Sequence, residues 1–229
     1  MCSSDLYVLV SDHSPSARVA GGLTAGELAA HVRKIRAVQT KHPRITVLAG
    51  SECDILEDGS LDYPDAVLAQ LDLVVAAVHS RFKQPRREMT ARLCRALANP
   101  YVSILAHPTG RLIGEREPYD VDLDEVFRTA KRHGKAIEIN SYPSRLDLND
   151  VHARRARDLG VLLAVSTDAH VLDHLSTIEL GVATARRAWV EKSGVVNTWP
   201  AKKLLAWARA SRPEAGRRQL AASGGGSNR

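Results

Sequence analysis

Disulfides, membrane spans and secretion signals are all missing from this sequence. Its cysteines, Cys2, Cys53 and Cys94, are odd in number and widely spaced. That is no disulfide framework, and the absence of any CxxC pair gives no sign of a zinc ribbon. No apolar run approaches the length of a membrane span. The first residues have neither the basic start nor the apolar core of a signal peptide. A cytoplasmic protein is therefore the expectation, with no membrane partner.

What is present suits one large α/β domain. The chain has 229 residues, 44% hydrophobic and 25% charged, enough to bury a proper core. The net charge is +6. Half of that excess lies in the tail from Ser211, where Arg212, Arg217, Arg218 and Arg229 face only Glu214. The tail ends SGGGSNR and reads as flexible, so 211–229 are expected to lie outside the fold. A basic balance allows a phosphate-bearing partner without establishing one.

Six short apolar runs alternate with helical patterns. They are Tyr7–Val10, Ile45–Ala49, Leu73–Val78, Val102–Ala106, Ala136–Ile139 and Leu162–Val165. Runs apolar almost throughout are those of parallel strands covered on both faces. Helices are expected over Thr24–Lys41, Asp122–His133 and Asn149–Leu159, the last two stopped by Gly134 and Gly160. Leu180–Trp189 and Ala201–Ala210 read as closing helices. Repeated β-α units predict a parallel sheet.

The strand ends carry the chemistry. They read Asp12-His13, Ser51-Glu52, His79-Ser80, His107-Pro108, Ile139-Asn140 and Asp168-Ala169-His170. In a barrel of parallel strands such ends converge on one mouth. His13, Glu52, His79, His107, Asp168 and His170 would then meet, at a high cost unless a cation is among them. Imidazole and carboxylate suit Zn²⁺, Mn²⁺ or Fe²⁺. Taken singly, each residue has a simpler use: a turn cap, a surface ion pair, a satisfied core histidine. Recurrence at one structural position favours the cation. His31, His42, His133, His152 and His174 fall on helices or in polar stretches and read as surface or structural. Glu138 lies inside its strand and stays outside the metal set. Arg111 and Arg145 follow the fourth and fifth strands and suit a bidentate grip on phosphate. Arg145 can equally pair with a nearby Asp to hold its loop. Arg18 and Arg81 carry less weight.

Together VSDHSPS, LAGSECDILEDGSLD, VVAAVHSRF, ILAHPTGRLIGEREPYDVD, IEINSYPSRLDLND and STDAH, in this order, resemble the PHP (polymerase and histidinol phosphatase) domain. HPTGRL, PYDVD, RLDLND and GVATARRAW resemble most the C-terminal PHP module of bacterial family X DNA polymerases. The resemblance runs from about Tyr7 to Trp199. It implies a distorted (β/α)7 TIM-like barrel with up to three Mn²⁺ or Zn²⁺ ions and phosphoester hydrolysis. In the polymerase branch that is 3′–5′ exonuclease action on DNA 3′ ends, behind an upstream polymerase module. The family's ligand motifs fall on His13, Glu52, His79, His107, Asp168 and His170. Glu52 matches the bridging carboxylate, His79 and His107 its partners on one metal, and His13 and His170 ligands of another. In the intact site Asp168 or His170 would orient the attacking water while ligating, and Arg111 or Arg145 would hold the adjacent phosphate.

The sequence departs from the family at its front. The family opens with a strand ending in His-x-His, and this sequence has no HxH. The first β/α unit is expected to be lacking, with residues 1–6 a non-native start and 7–210 an incomplete phosphoesterase domain. Weak or absent activity, poor stability and association through exposed sheet edges follow as expectations. Two other readings stay open: a histidinol-phosphatase-like phosphomonoesterase acting on a small phosphomonoester, and an inactive fragment with an incomplete metal site.

Overall fold

The computed structural model describes residues 6–17 and 20–213. Its six strands are β1 (Tyr7–His13), β2 (Thr46–Asp54), β3 (Leu73–Ala77), β4 (Ile104–Leu105), β5 (Ala136–Asn140) and β6 (Leu162–Ser166). All pair in parallel, in the order of the chain. The helices are α1 (Ala25–Lys41), α2 (Asp65–Leu68), α3 (Arg86–Ala98), α4 (Leu123–Arg132), α5 (Asp150–Asp158), α6 (Ile178–Arg187) and α7 (Ala201–Ala210). Gly134 and Gly160 end α4 and α5 at φ +65° and +74°, the left-handed conformation a helix stop needs. Among the described residues, no helix is long and apolar enough to cross a membrane, and Cys53 and Cys94 are free thiols.

Both faces of the sheet are covered, so its strands are apolar on both sides. Val74, Ala76 and Val78 pack outward with Met89 and Leu93 of α3. Leu73, Val75 and Ala77 point inward, with Leu48, Ile104, Ala136 and Ala164 from neighbouring strands. Leu204 and Ala208 of α7 fill that inner side. The sheet is a curled half-barrel. Among the described residues β1 and β6 are the outer strands, β6 flanked by a bridge from Leu163 to Val195, yet the rings of His13, ending β1, and His170, beyond β6, lie 6.1 Å apart.

Three expectations change. β2 does not stop at Ala49 but runs on to Asp54. Its Gly50 is a strand residue, because a Cβ there would sit 2.9 Å from the Leu73 carbonyl oxygen. β4 has two residues, where five read as strand. The tail, expected from Ser211, begins inside the fold. Arg212 is buried and donates to the Leu71 and Asp72 carbonyls at 2.7 and 3.0 Å. Residues 214–229 and 1–5 lie outside the described residues, as does Arg18.

Candidate metal centre

Strand parity builds the centre. Side chains alternate along a strand, so the inward row of β1 runs Tyr7, Leu9, Ser11, His13. The inward row of β2 runs Leu48, Gly50, Glu52, Asp54. The β3 row, Leu73, Val75, Ala77, continues to His79. On β5 the row is Ala136, Glu138, Asn140, and on β6 Ala164, Ser166. Each row is apolar at the bottom, where α7 packs, and polar at the mouth. Register completes the alignment: His13 lies opposite Glu52.

Glu52 is the hub. It is buried, and its Oε1 lies 2.9 Å from His107 Nε2 and 3.2 Å from His79 Nε2. His79 Nδ1 bonds the buried Asp54 carboxylate, which fixes the ring and leaves Nε2 for the centre. Burial alone would raise the Glu52 pKa, but the bonds to His107 and His79 outweigh it and hold the carboxyl well below its ordinary range. Burial lowers His79, yet Asp54 and Glu52 more than offset this and lift it to about 9. Burial also lowers His13, against the attraction of Glu52.

One ligand atom each from His13, Glu52 and His79 lie within 4.8 Å of one another. The His13 ring packs edge-on to His79 at 5.1 Å, and His79 to His107 at 5.2 Å. His13 Nδ1 and His107 Nδ1 are buried without a hydrogen-bond partner. Imidazoles gathered about one carboxylate, with ring nitrogens left unpartnered, fit a divalent cation of the Zn²⁺ or Mn²⁺ type.

The β5–β6 side is different in kind. Glu138 accepts from the His107 backbone N–H at 2.6 Å, from Asn140 Nδ2 at 3.2 Å and from the Ser166 hydroxyl. Burial raises its pKa to about 7. Asp168 Oδ2 accepts from Asn140 Nδ2 at 3.1 Å and pairs with Arg145 Nε at 3.2 Å. The Asp partner of Arg145 is thus Asp168, twenty-three residues away beyond β6, rather than an Asp of its own loop, and its NH1 remains unpartnered. Arg111 donates through Nε to the Arg145 carbonyl at 2.7 Å and through NH2 to the Leu146 carbonyl. Its guanidinium is committed to the backbone of the next loop. Buried Asp147 locks the same two loops, accepting from the Thr109 and Gly110 N–H groups at 2.9 and 3.1 Å.

Of the six residues expected at the mouth, His13, Glu52, His79 and His107 come together closely. Asp168 faces Arg145 and Asn140. His170 stands at the rim with its side chain 61% exposed and Nδ1 2.9 Å from the Asp168 carbonyl oxygen. Asp54, Glu138 and Asp147 lie outside the set of site residues expected from the sequence. Strand parity is the signal for the two on strands, since Asp54 is two residues beyond Glu52 and Glu138 two before Asn140. Arg81 lies on the surface, paired with Glu57 at 3.2 Å.

A parallel half-barrel with imidazoles and a shared carboxylate at its strand ends is the architecture of a metal-dependent phosphoesterase. The chain belongs to the PHP family, together with the "Probable phosphatase" of Thermoanaerobacter sp. strain X514, to which it is 31% identical over 201 residues, 83% of this chain and 77% of that protein. It is 42% identical to the DNA polymerase/3′-5′ exonuclease PolX of Bacillus subtilis over 88% of its own length, but spans only 35% of that relative. Among solved structures, histidinol phosphate phosphatase from Lactococcus lactis, in complex with zinc, L-histidinol and phosphate, superposes with a TM-score of 0.56 at 16% identity, over 81% of this chain and 83% of that one. No family model matches the chain.

Proposed function

We propose that the chain removes nucleotides from DNA 3′ ends, using Mn²⁺ or Zn²⁺ held by His13, Glu52 and His79. The observation that carries this reading is the Glu52 hub, with imidazoles on two sides and orphaned nitrogens beside it. Identity to PolX over most of this chain and the HPTGRL and RLDLND stretches favour DNA as substrate. Cys53 and Cys94, free thiols among the described residues, suit the reducing cytoplasm.

A divalent cation at Glu52 supplies Lewis-acid activation of water and of a phosphoryl oxygen. The chain's own residues do the rest. Asp54 sets the tautomer of His79. Arg145, with NH1 free, grips the phosphate beside Asp168, and Arg111 holds the loop that carries it. Asp168 orients the incoming water. His170, whose Nδ1 meets the Asp168 carbonyl, keeps Nε2 for a proton at the rim.

The finer family features belong to the same proposal: a (β/α)7 barrel lacking its first unit here, up to three ions, an upstream polymerase module. The β1 edge supports an additional strand. Thr46 N–H donates to the Leu6 carbonyl and Ser14 N–H to the Glu52 carbonyl, so the even residues of β1 bond toward β2. Tyr7, Leu9 and Ser11 turn their backbone groups to the open side. Without such a strand the chain should cleave weakly or not at all.

The test is shortening of a 5′-labelled oligonucleotide with Mn²⁺ or Zn²⁺, in the wild type and Glu52→Gln. Slow, cation-dependent loss of 3′ nucleotides, abolished in Glu52→Gln, supports the reading. Turnover of histidinol phosphate with none of DNA would favour the phosphomonoesterase, a reading to which the Lactococcus fold lends weight. Failure to bind either cation would leave an inactive fragment.

A further inference from the structure

Just past His170 the chain makes a 3-10 turn, Leu172–Thr177, with aliphatic side chains in solvent. Val171 is 56% exposed, Leu172 83% and Leu175 50%. Clustered apolar exposure on a soluble protein marks a binding surface more often than chance placement. This cluster is tied to the reaction centre from two directions. From one side, the His170 backbone N–H donates to His174 Nδ1 at 3.4 Å. From the other, the His174 ring packs edge-on to Tyr142 at 5.1 Å. Tyr142 is itself held from the β5 mouth: its N–H donates to Asn140 Oδ1 at 2.9 Å, and its carbonyl accepts from the Arg145 N–H at 2.8 Å. The aromatic pair therefore bridges Arg145 and His170, the groups assigned above to phosphate and proton.

We propose that Tyr142, His174 and Leu172 form the subsite for the nucleobase attached to the phosphate being cleaved. This rests on the phosphoesterase reading and adds the substrate group that sits beside the phosphate. Whatever occupies a surface continuous with the reaction centre enters with the substrate. Two aromatic rings and an aliphatic side chain suit a flat, weakly polar ring system, and stacking of this kind is tolerant of base identity. The shelf is open, since Leu172 and the His170 side chain face solvent. An open shelf suits the end of a polymer, whereas a small phosphomonoester is held in an enclosed pocket.

Binding, rather than turnover, tests it. The probes are 2-aminopurine deoxyriboside 5′-monophosphate, deoxyribose 5-phosphate, histidinol phosphate and inorganic phosphate, each with the wild-type chain and Mn²⁺. The nucleotide should bind about tenfold more tightly than deoxyribose 5-phosphate, with quenched 2-aminopurine fluorescence. Tyr142→Ala and Leu172→Ser should each remove most of that margin and the quenching, leaving affinity for inorganic phosphate unchanged. Leu172→Ser changes an exposed side chain and so stays interpretable if Tyr142→Ala fails to fold. Equal affinity for nucleotide and deoxyribose 5-phosphate overturns the subsite while the phosphoesterase reading stands. A margin for histidinol phosphate alone also overturns the nucleobase assignment. If no phosphate-bearing probe binds, both readings fall.

Discussion

On the β1–β3 side of the mouth a single carboxylate, Glu52, is approached by His79 and His107, with His13 beside it. On the β5–β6 side three carboxylates, Glu138, Asp147 and Asp168, share out Asn140, Ser166, Arg145 and three backbone N–H groups. The first side leaves ring nitrogens of His13 and His107 without partners; the second is mostly satisfied, with Arg145 NH1, Asp147 Oδ1 and Thr109 Oγ1 left over. Coordination needs spare lone pairs, and a rigid wall needs satisfied ones. The mouth thus separates a place for a cation from a frame that positions an arginine for an anion. The separation follows the sheet. No residue of β1 is buried, whereas every residue of β5 is. The cation side includes the open edge β1, although Glu52 itself is buried on β2, and the frame is anchored on the fully buried β5.

The largest effect should come from removing the hub. Glu52→Gln should weaken binding of the first Zn²⁺ or Mn²⁺ by about a hundredfold or more, because it deletes the charge both imidazoles face. Asp168→Asn should weaken it less than about tenfold. Isothermal titration calorimetry with each cation measures both. The reverse ranking would mean that the cation sits on the β5–β6 side.

Asp54→Asn asks how far the support behind a ligand matters. Orienting carboxylates of this kind are worth about 10–100-fold in metal affinity. In the cation-free protein the same change should lower the pKa of His79 from about 9, seen by NMR titration of its ring protons. An unmoved His79 pKa would show that Glu52 alone holds the ring.

The sequence exposed the two sides unequally, for a physical reason. His13, Glu52, His79, His107 and Asp168 stand where an apolar run gives way to polar residues, and that transition is visible in one dimension. Asp54 and Glu138 are on the inward rows within strands. Their role shows only once parity and strand length are known. The apolar run of the second strand stops at Ala49, whereas β2 runs on to Asp54 through Gly50, which lets the β3 backbone approach. Asp147 was legible only as part of RLDLND. Its partners are the Thr109 and Gly110 amides of another loop, a pairing that no local pattern encodes. Arg111 was read as a phosphate ligand from its position after a strand, and a partner thirty-four residues away gives it a structural task.

Glu138 distinguishes the two sides through pH. Its folded pKa, about 7, lies above the ordinary 4.5, so the folded state holds the proton more tightly. Its contribution to stability is full below 4.5 and is lost as pH rises through 7. In EDTA, wild type should lose on the order of 3 kcal/mol over that window relative to Glu138→Gln, whose amide cannot ionise. Urea unfolding at a series of pH values gives the difference. Parallel curves for the two proteins would mean that Glu138 is already ionised, and the β5–β6 side would then carry spare charge for a second cation.

The smallest effect concerns the open edge itself. If a cation joins His13 to Glu52 and His79, it ties β1 to β2 and β3, and binding stabilises whatever it joins. The amides of Val8, Val10 and Asp12, which bond toward β2, should then exchange with deuterium about fivefold more slowly when Zn²⁺ is added. Those of Ala136–Asn140, already in the interior, should not change. Equal slowing on both strands would show that the cation tightens the whole half-barrel. Slowing at β5 alone would place it among Glu138 and Asp168, and the division of the mouth into a coordinating edge and a supporting interior would fail.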